Sequence, residues 1–115
     1  MASFILSLDS SEITLESAGG KGLNLSRLVV AGFPVPPGFI LTTAAYDAYV
    51  EANDLSGAIA GAIKDLNAQD PQALQDASRI IRTRFSAGNM SSGLTEAIGA
   101  AYADLGRPPV AVRSS

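Results

Sequence analysis

The sequence has 115 residues, 47% of them hydrophobic and 17% charged, with a net charge of −3. That is long enough for one domain with its own core, and too apolar and too weakly charged for disorder. The negative balance excludes a general attraction for nucleic acid, and the absence of cysteine excludes disulfides and thiolate nucleophiles. Histidine is absent as well, which removes the commonest acid–base group and metal ligand, so these residues alone are not expected to complete a catalytic cycle. The opening Met1-Ala2-Ser3-Phe4-Ile5-Leu6-Ser7 has no basic leader, and no stretch approaches the ~20 apolar residues of a membrane span. A cytoplasmic location without membrane or nucleic-acid partners is expected.

Phe4-Ile5-Leu6-Ser7-Leu8 reads as a short buried strand ending at Asp9-Ser10-Ser11, followed by a loop to Gly19-Gly20. From Leu23 the apolar positions Leu25, Leu28 and Val29 recur at helical spacing and stop at Gly32, which suits a helix C-terminus. Pro34, Pro36 and Pro37 force an extended path, and Phe39-Ile40-Leu41 is then a second strand. Thr42 or Thr43 caps a helix to about Asn53. A further helix carries Ile59, Ile63 and Leu66 on one face. Asp70-Pro71 is a capping carboxylate followed by a proline at the first helical position, and Leu74, Ala77, Ile81 and Phe85 form the apolar stripe of that helix. Ser91 or Ser92 opens the last helix, with Leu94, Ile98, Ala101 and Leu105 inward, and Pro108-Pro109 ends it before a third strand, Val110-Ala111-Val112. The fold class is α+β with helix dominant, about five helices and three short strands. Arg79, Arg82 and Arg84 cluster, but Asp76 lies one turn before Arg79 and can pair with it, as on a solvated helix face.

The chemistry-bearing segment is Gly19-Gly20-Lys21-Gly22. A lysine among glycines places a mobile cation where backbone amides are unshielded by side chains, an arrangement that holds phosphate. The segment is not a Walker loop, since Gly22 follows the lysine where a hydroxyl is needed, and it lacks the spacing of a dinucleotide fingerprint. A tight turn accounts for the same residues. Arg113 offers a bidentate fork to an anion. Between Val112 and Ser114-Ser115 it reads as a partly buried guanidinium; a surface ion-pair partner is the other reading.

Taken in order, Gly-Gly-Lys-Gly-x-Asn-Leu, then Gly-Phe-Pro-Val-Pro-Pro-Gly-Phe-x-x-Thr-Thr-x-Ala-Tyr, then Val-Ala-Val-Arg-Ser-Ser resembles the start of the ATP-binding domain of the phosphoenolpyruvate synthase and pyruvate phosphate dikinase family. Rifampicin phosphotransferases share this beginning. The resemblance covers the whole chain and implies that residues 1–115 are the helix-rich N-terminal subdomain of an ATP-grasp type nucleotide-binding domain, a fragment of a longer protein. It implies that Lys21 and Arg113 contact the ATP phosphates as catalytic cations, that the backbone of Gly19, Gly20 and Gly22 approaches the nucleotide, and that both cations sit on one face. In such enzymes ATP is split to AMP and phosphate, and one phosphoryl group passes through a histidine on a swivelling domain to pyruvate or another small acceptor. The Mg²⁺ ligands, that histidine and the acceptor site are expected outside this chain. A rifampicin phosphotransferase, or another dikinase-type antibiotic-modifying enzyme, is the alternative within the family. A non-catalytic interaction module built on the same scaffold is the alternative outside it.

Overall fold

The computed structural model describes residues 3–114. They form two compact units: the chain up to Asp47 together with Ser92 onward, and Ala48–Ser91. Among the described residues there are five helices and one two-stranded sheet, so the α+β, helix-rich class holds. No helix among them is long and apolar enough to cross a membrane.

In the first unit β1 (Ile5–Ser7) and β2 (Phe39–Leu41) pair antiparallel, with Leu6 opposite Ile40. Both of these side chains are buried and their strand neighbours are not, the period-two pattern of a sheet with one covered face. Buried Thr42 extends the pairing past β2: its amide donates to the Phe4 carbonyl at 3.0 Å and its hydroxyl to the Ser3 carbonyl at 2.6 Å. The same hydroxyl accepts from the Ala45 amide, so Thr42 also caps α2 (Thr43–Ala52).

Helix α1 (Leu15–Val30) starts eight residues earlier than the hydrophobic spacing predicts, where a loop was expected. Thr14 and Ser17 form a reciprocal capping box: the Ser17 amide donates to Thr14 Oγ1 at 3.1 Å and the Thr14 amide to Ser17 Oγ at 3.0 Å. Its other end is as expected. Gly32 donates to Val29 and Phe33 to Leu28, the paired bonds that close a helix past its cap. The last helix, α5 (Ser92–Asp104), buries Leu94 and ends in the same way, Gly106 donating to Ala103 and Arg107 to Tyr102.

In the second unit α3 (Leu55–Ile63) packs along α4 (Pro71–Ala87), burying Leu55 and Ala77. Asp70 caps α4 as expected, accepting from the amides of Gln72 at 3.1 Å and Ala73 at 3.3 Å, with Pro71 in the first turn. Arg79 pairs with Asp76 at 3.1 Å on the exposed face. Leu66 does not belong to α3: Lys64 is extended and Asp65 left-handed, which ends the helix before it.

The third strand does not form. Residues 110–112 have no ladder partner among the described residues, and Val112 is 92% exposed. Apolar alternation gives a segment its capacity for pairing, but a strand exists only where a neighbour supplies the hydrogen bonds.

Candidate functional site

The glycine–lysine segment lies inside α1, not before it. At Gly19 the backbone takes φ 73° and ψ 178°, a region essentially restricted to glycine, and the helix is kinked there. Such a break restarts the helix, so Gly20, Lys21 and Gly22 form the first turn of its second part, where amides lack regular intrahelical acceptors. The short turn before the break is held in place by its capping box and by the Thr43 hydroxyl, which donates to the Glu16 carbonyl at 2.8 Å.

The residues of this turn face different ways. Gly20 is exposed, and a side-chain carbon there would meet nothing within 4 Å, so its backbone is open to an approaching ligand. Lys21 is exposed and makes no ion pair among the described residues. Gly22 turns inward and is buried, in line with the buried small residues Ala18 and Ser26 of the same helix. A side-chain carbon at Gly22 would lie 3.0 Å from Ala18 Cβ and 3.2 Å from Ile40 Cδ1 of β2. The sequence marks this contact only faintly, as small residues four apart. The capping box was legible in principle from Thr14 and Ser17, three positions apart.

Arg113 lies in the segment without regular secondary structure after α5, whose start is fixed by the Tyr102 hydroxyl donating to the Pro108 carbonyl at 2.7 Å. It is exposed, not partly buried as its apolar neighbour suggested, because the segment packs under nothing. Lys21 and Arg113 belong to the same compact unit. Among the described residues no three side chains of the kinds that ligate metals come together as a cluster. Ser115 of the Arg-Ser-Ser motif lies outside the described residues.

An exposed lysine beside open glycine backbone at a restarted helix can neutralise and orient an anionic group, and an exposed arginine in the same unit offers a second cation. Sequence comparison gives the family in which these residues occur. The pattern of the family described as "Pyruvate phosphate dikinase, AMP/ATP-binding domain" matches residues 15–115. The phosphoenolpyruvate synthase of Aeropyrum pernix is 38% identical over 119 residues, covering 96% of this chain and 14% of that protein. A probable phosphoenolpyruvate synthase of Methanocaldococcus jannaschii is 37% identical, covering 97% of this chain and 10% of its own length. The rifampicin phosphotransferase of Bacillus subtilis is 32% identical, covering 100% of this chain and 14% of its own length. The chain thus spans only a small part of the curated relatives it matches. With the match running from the start of α1 through the segment that bears Arg113, the chain belongs to the pyruvate phosphate dikinase AMP/ATP-binding domain family.

Proposed function

We propose that residues 1–115 are the N-terminal portion of the ATP-binding domain of a phosphoenolpyruvate synthase-like dikinase with an ATP-grasp type site, working in the cytoplasm. Lys21 and Arg113 neutralise the ATP phosphates, and the backbone of Gly19 and Gly20, with that of Gly22 behind it, comes close to the nucleotide. The observation that carries this reading is the exposed Lys21 on the turn restarted at Gly19, within a family match that includes both cations. Phosphoryl transfer asks little covalent chemistry of the protein. Placing cations where charge gathers as the phosphoryl group departs is the main contribution these residues make.

In the proposed reaction ATP gives AMP. One phosphoryl group goes to pyruvate by way of a histidine, which this chain lacks, and the other is released to water as inorganic phosphate. Magnesium accompanying the nucleotide would draw its ligands from residues outside this chain. The similarity to a rifampicin phosphotransferase across 100% of the chain favours a second reading, in which rifampicin replaces pyruvate as acceptor.

The test is AMP release from ATP by the intact protein, with pyruvate in one reaction and rifampicin in another. AMP formed only with pyruvate supports the synthase, and AMP formed only with rifampicin supports the phosphotransferase. No AMP with either would remove both readings and favour a non-catalytic module.

A further inference from the structure

Gly22 lies next to the lysine proposed to hold phosphate, yet it faces the interior. Two neighbours crowd it from different directions. Ala18 belongs to the short turn before the kink, and Ile40 to β2. In a straight helix, side-chain carbons four residues apart stand about 5–6 Å from each other. Across the Gly19 break the distance from a carbon at position 22 to Ala18 Cβ would be only 3.0 Å. The kink therefore folds the first turn over position 22, and a side chain there would make its neighbours give by a few tenths of an ångström. On the other side, the 3.2 Å approach to Ile40 Cδ1 shows that the helix restarts in close contact with the sheet.

Lys21 sits between the torsional break at Gly19 and this packed point at Gly22. The direction in which its stem leaves the backbone is thus fixed at both ends, by a torsion on one side and by contact on the other. We infer that Gly22 is a positioning residue for ATP: by letting α1 close against Ala18 and Ile40, it sets the place from which Lys21 reaches the phosphates. This rests on the proposed role of Lys21. It assigns the neighbouring glycine a task performed from the buried side of the helix.

Adding a methyl group at position 22 has two opposed effects on the fold. It improves helix propensity and it crowds two neighbours. Stability is therefore a poor reporter of the contact, whereas placement is a sensitive one, since displacement of a binding group by a fraction of an ångström is felt at the ligand.

The experiment is ATP titration of the intact protein, with melting temperature measured on every variant. Gly22→Ala is expected to weaken ATP binding about tenfold. The same substitution in a background carrying Ala18→Gly and Ile40→Val, which removes both crowding atoms, is expected to weaken it less than twofold. In a Lys21→Ala background, Gly22→Ala is expected to add less than twofold, because two residues acting through one contact are not additive. Equal losses in the crowded and relieved backgrounds would overturn the inference, as would full additivity with Lys21→Ala. If Gly22→Ala abolishes folding in the native background, the relieved background decides: a folded variant that does not bind ATP overturns the inference. Should Lys21→Ala leave ATP binding unchanged, the role of Lys21 itself fails. Should Lys21→Ala weaken binding while Gly22→Ala does not, only the positioning role fails.

Discussion

Lys21 and Gly19 place opposite demands on the chain, one chemical and one conformational. Lys21 is exposed and its charge is unpaired among the described residues, so little of the fold depends on it. Lys21→Ala in the intact protein is expected to lower kcat/KM for ATP about a hundredfold while moving the melting temperature by less than about 2 °C. A large fall in melting temperature with normal turnover would contradict the assignment. Gly19 is the reverse case. Its φ of 73° with ψ of 178° is a conformation that a β-carbon makes costly. Gly19→Ala is expected to destabilise the fold by about 1–3 kcal/mol, measured by urea unfolding. The sequence makes this residue conspicuous without revealing its task. A glycine that opens a helix and one that breaks a helix already begun look alike until the capping box upstream is seen.

Among the elements, the clearest sequence signals were those whose physics is complete within a few residues. Asp70 and Pro71 contain both the cap and the preset first turn, so the start of α4 was legible. Phe39–Leu41 was legible because glycine and prolines delimit it. Residues 110–112 carry equally good strand chemistry and form none, since the missing ingredient is a partner that no local pattern encodes. The Gly22–Ile40 contact escaped sequence reading for the same reason: it joins a helix to a strand far along the chain. The second unit contains another such contact. Tyr49 stacks on Phe85 at 6.0 Å and its hydroxyl donates to the Phe85 carbonyl at 2.6 Å. Asn53 and Asn89 exchange two hydrogen bonds, at 2.8 and 3.0 Å. Gly88 lies beneath both, and a side-chain carbon there would stand 2.5 Å from the Tyr49 hydroxyl and 3.0 Å from Asn53 Cγ. Gly88→Ala must displace this latch and is expected to cost about 1–3 kcal/mol of stability. Thermal unfolding of the variant beside the unmodified protein measures it, and an unchanged transition would show that the latch yields without cost.

At the scale of the molecule, each unit buries small residues along with large ones. Ala18 and Ala45 are buried in the first unit, as are Leu6, Ile40 and Leu94, and Ala77 and Leu55 are buried in the second, while Leu15, Val30, Phe33 and Val112 are well exposed. The chain covers 10% to 14% of the three relatives compared with it, and the proposed ATP site needs walls beyond the two cations present here. ATP titration of the 115-residue chain alone is therefore expected to give binding at least about a hundredfold weaker than that of the intact protein, a difference of about 2.7 kcal/mol. Equal affinities would mean that these residues hold the nucleotide unaided. What remained beyond reach of sequence at this scale was the orientation of side chains: Arg113 reads as half-sheltered from its apolar neighbour, yet the segment carrying it is open to solvent.

The break in α1 also divides the helix in time. Backbone amides protected by a continuous ladder exchange their hydrogens slowly, and those beside a discontinuity exchange fast. α1 should therefore show an unprotected notch at Gly20 and Lys21, flanked by a slower turn tied down through Glu16 and Thr43 and by a slow stretch around buried Ser26. A ligand drawing on those amides would close the notch without altering either flank. Deuterium uptake along this one helix, with and without ATP, would thus report occupancy of the site at two backbone positions.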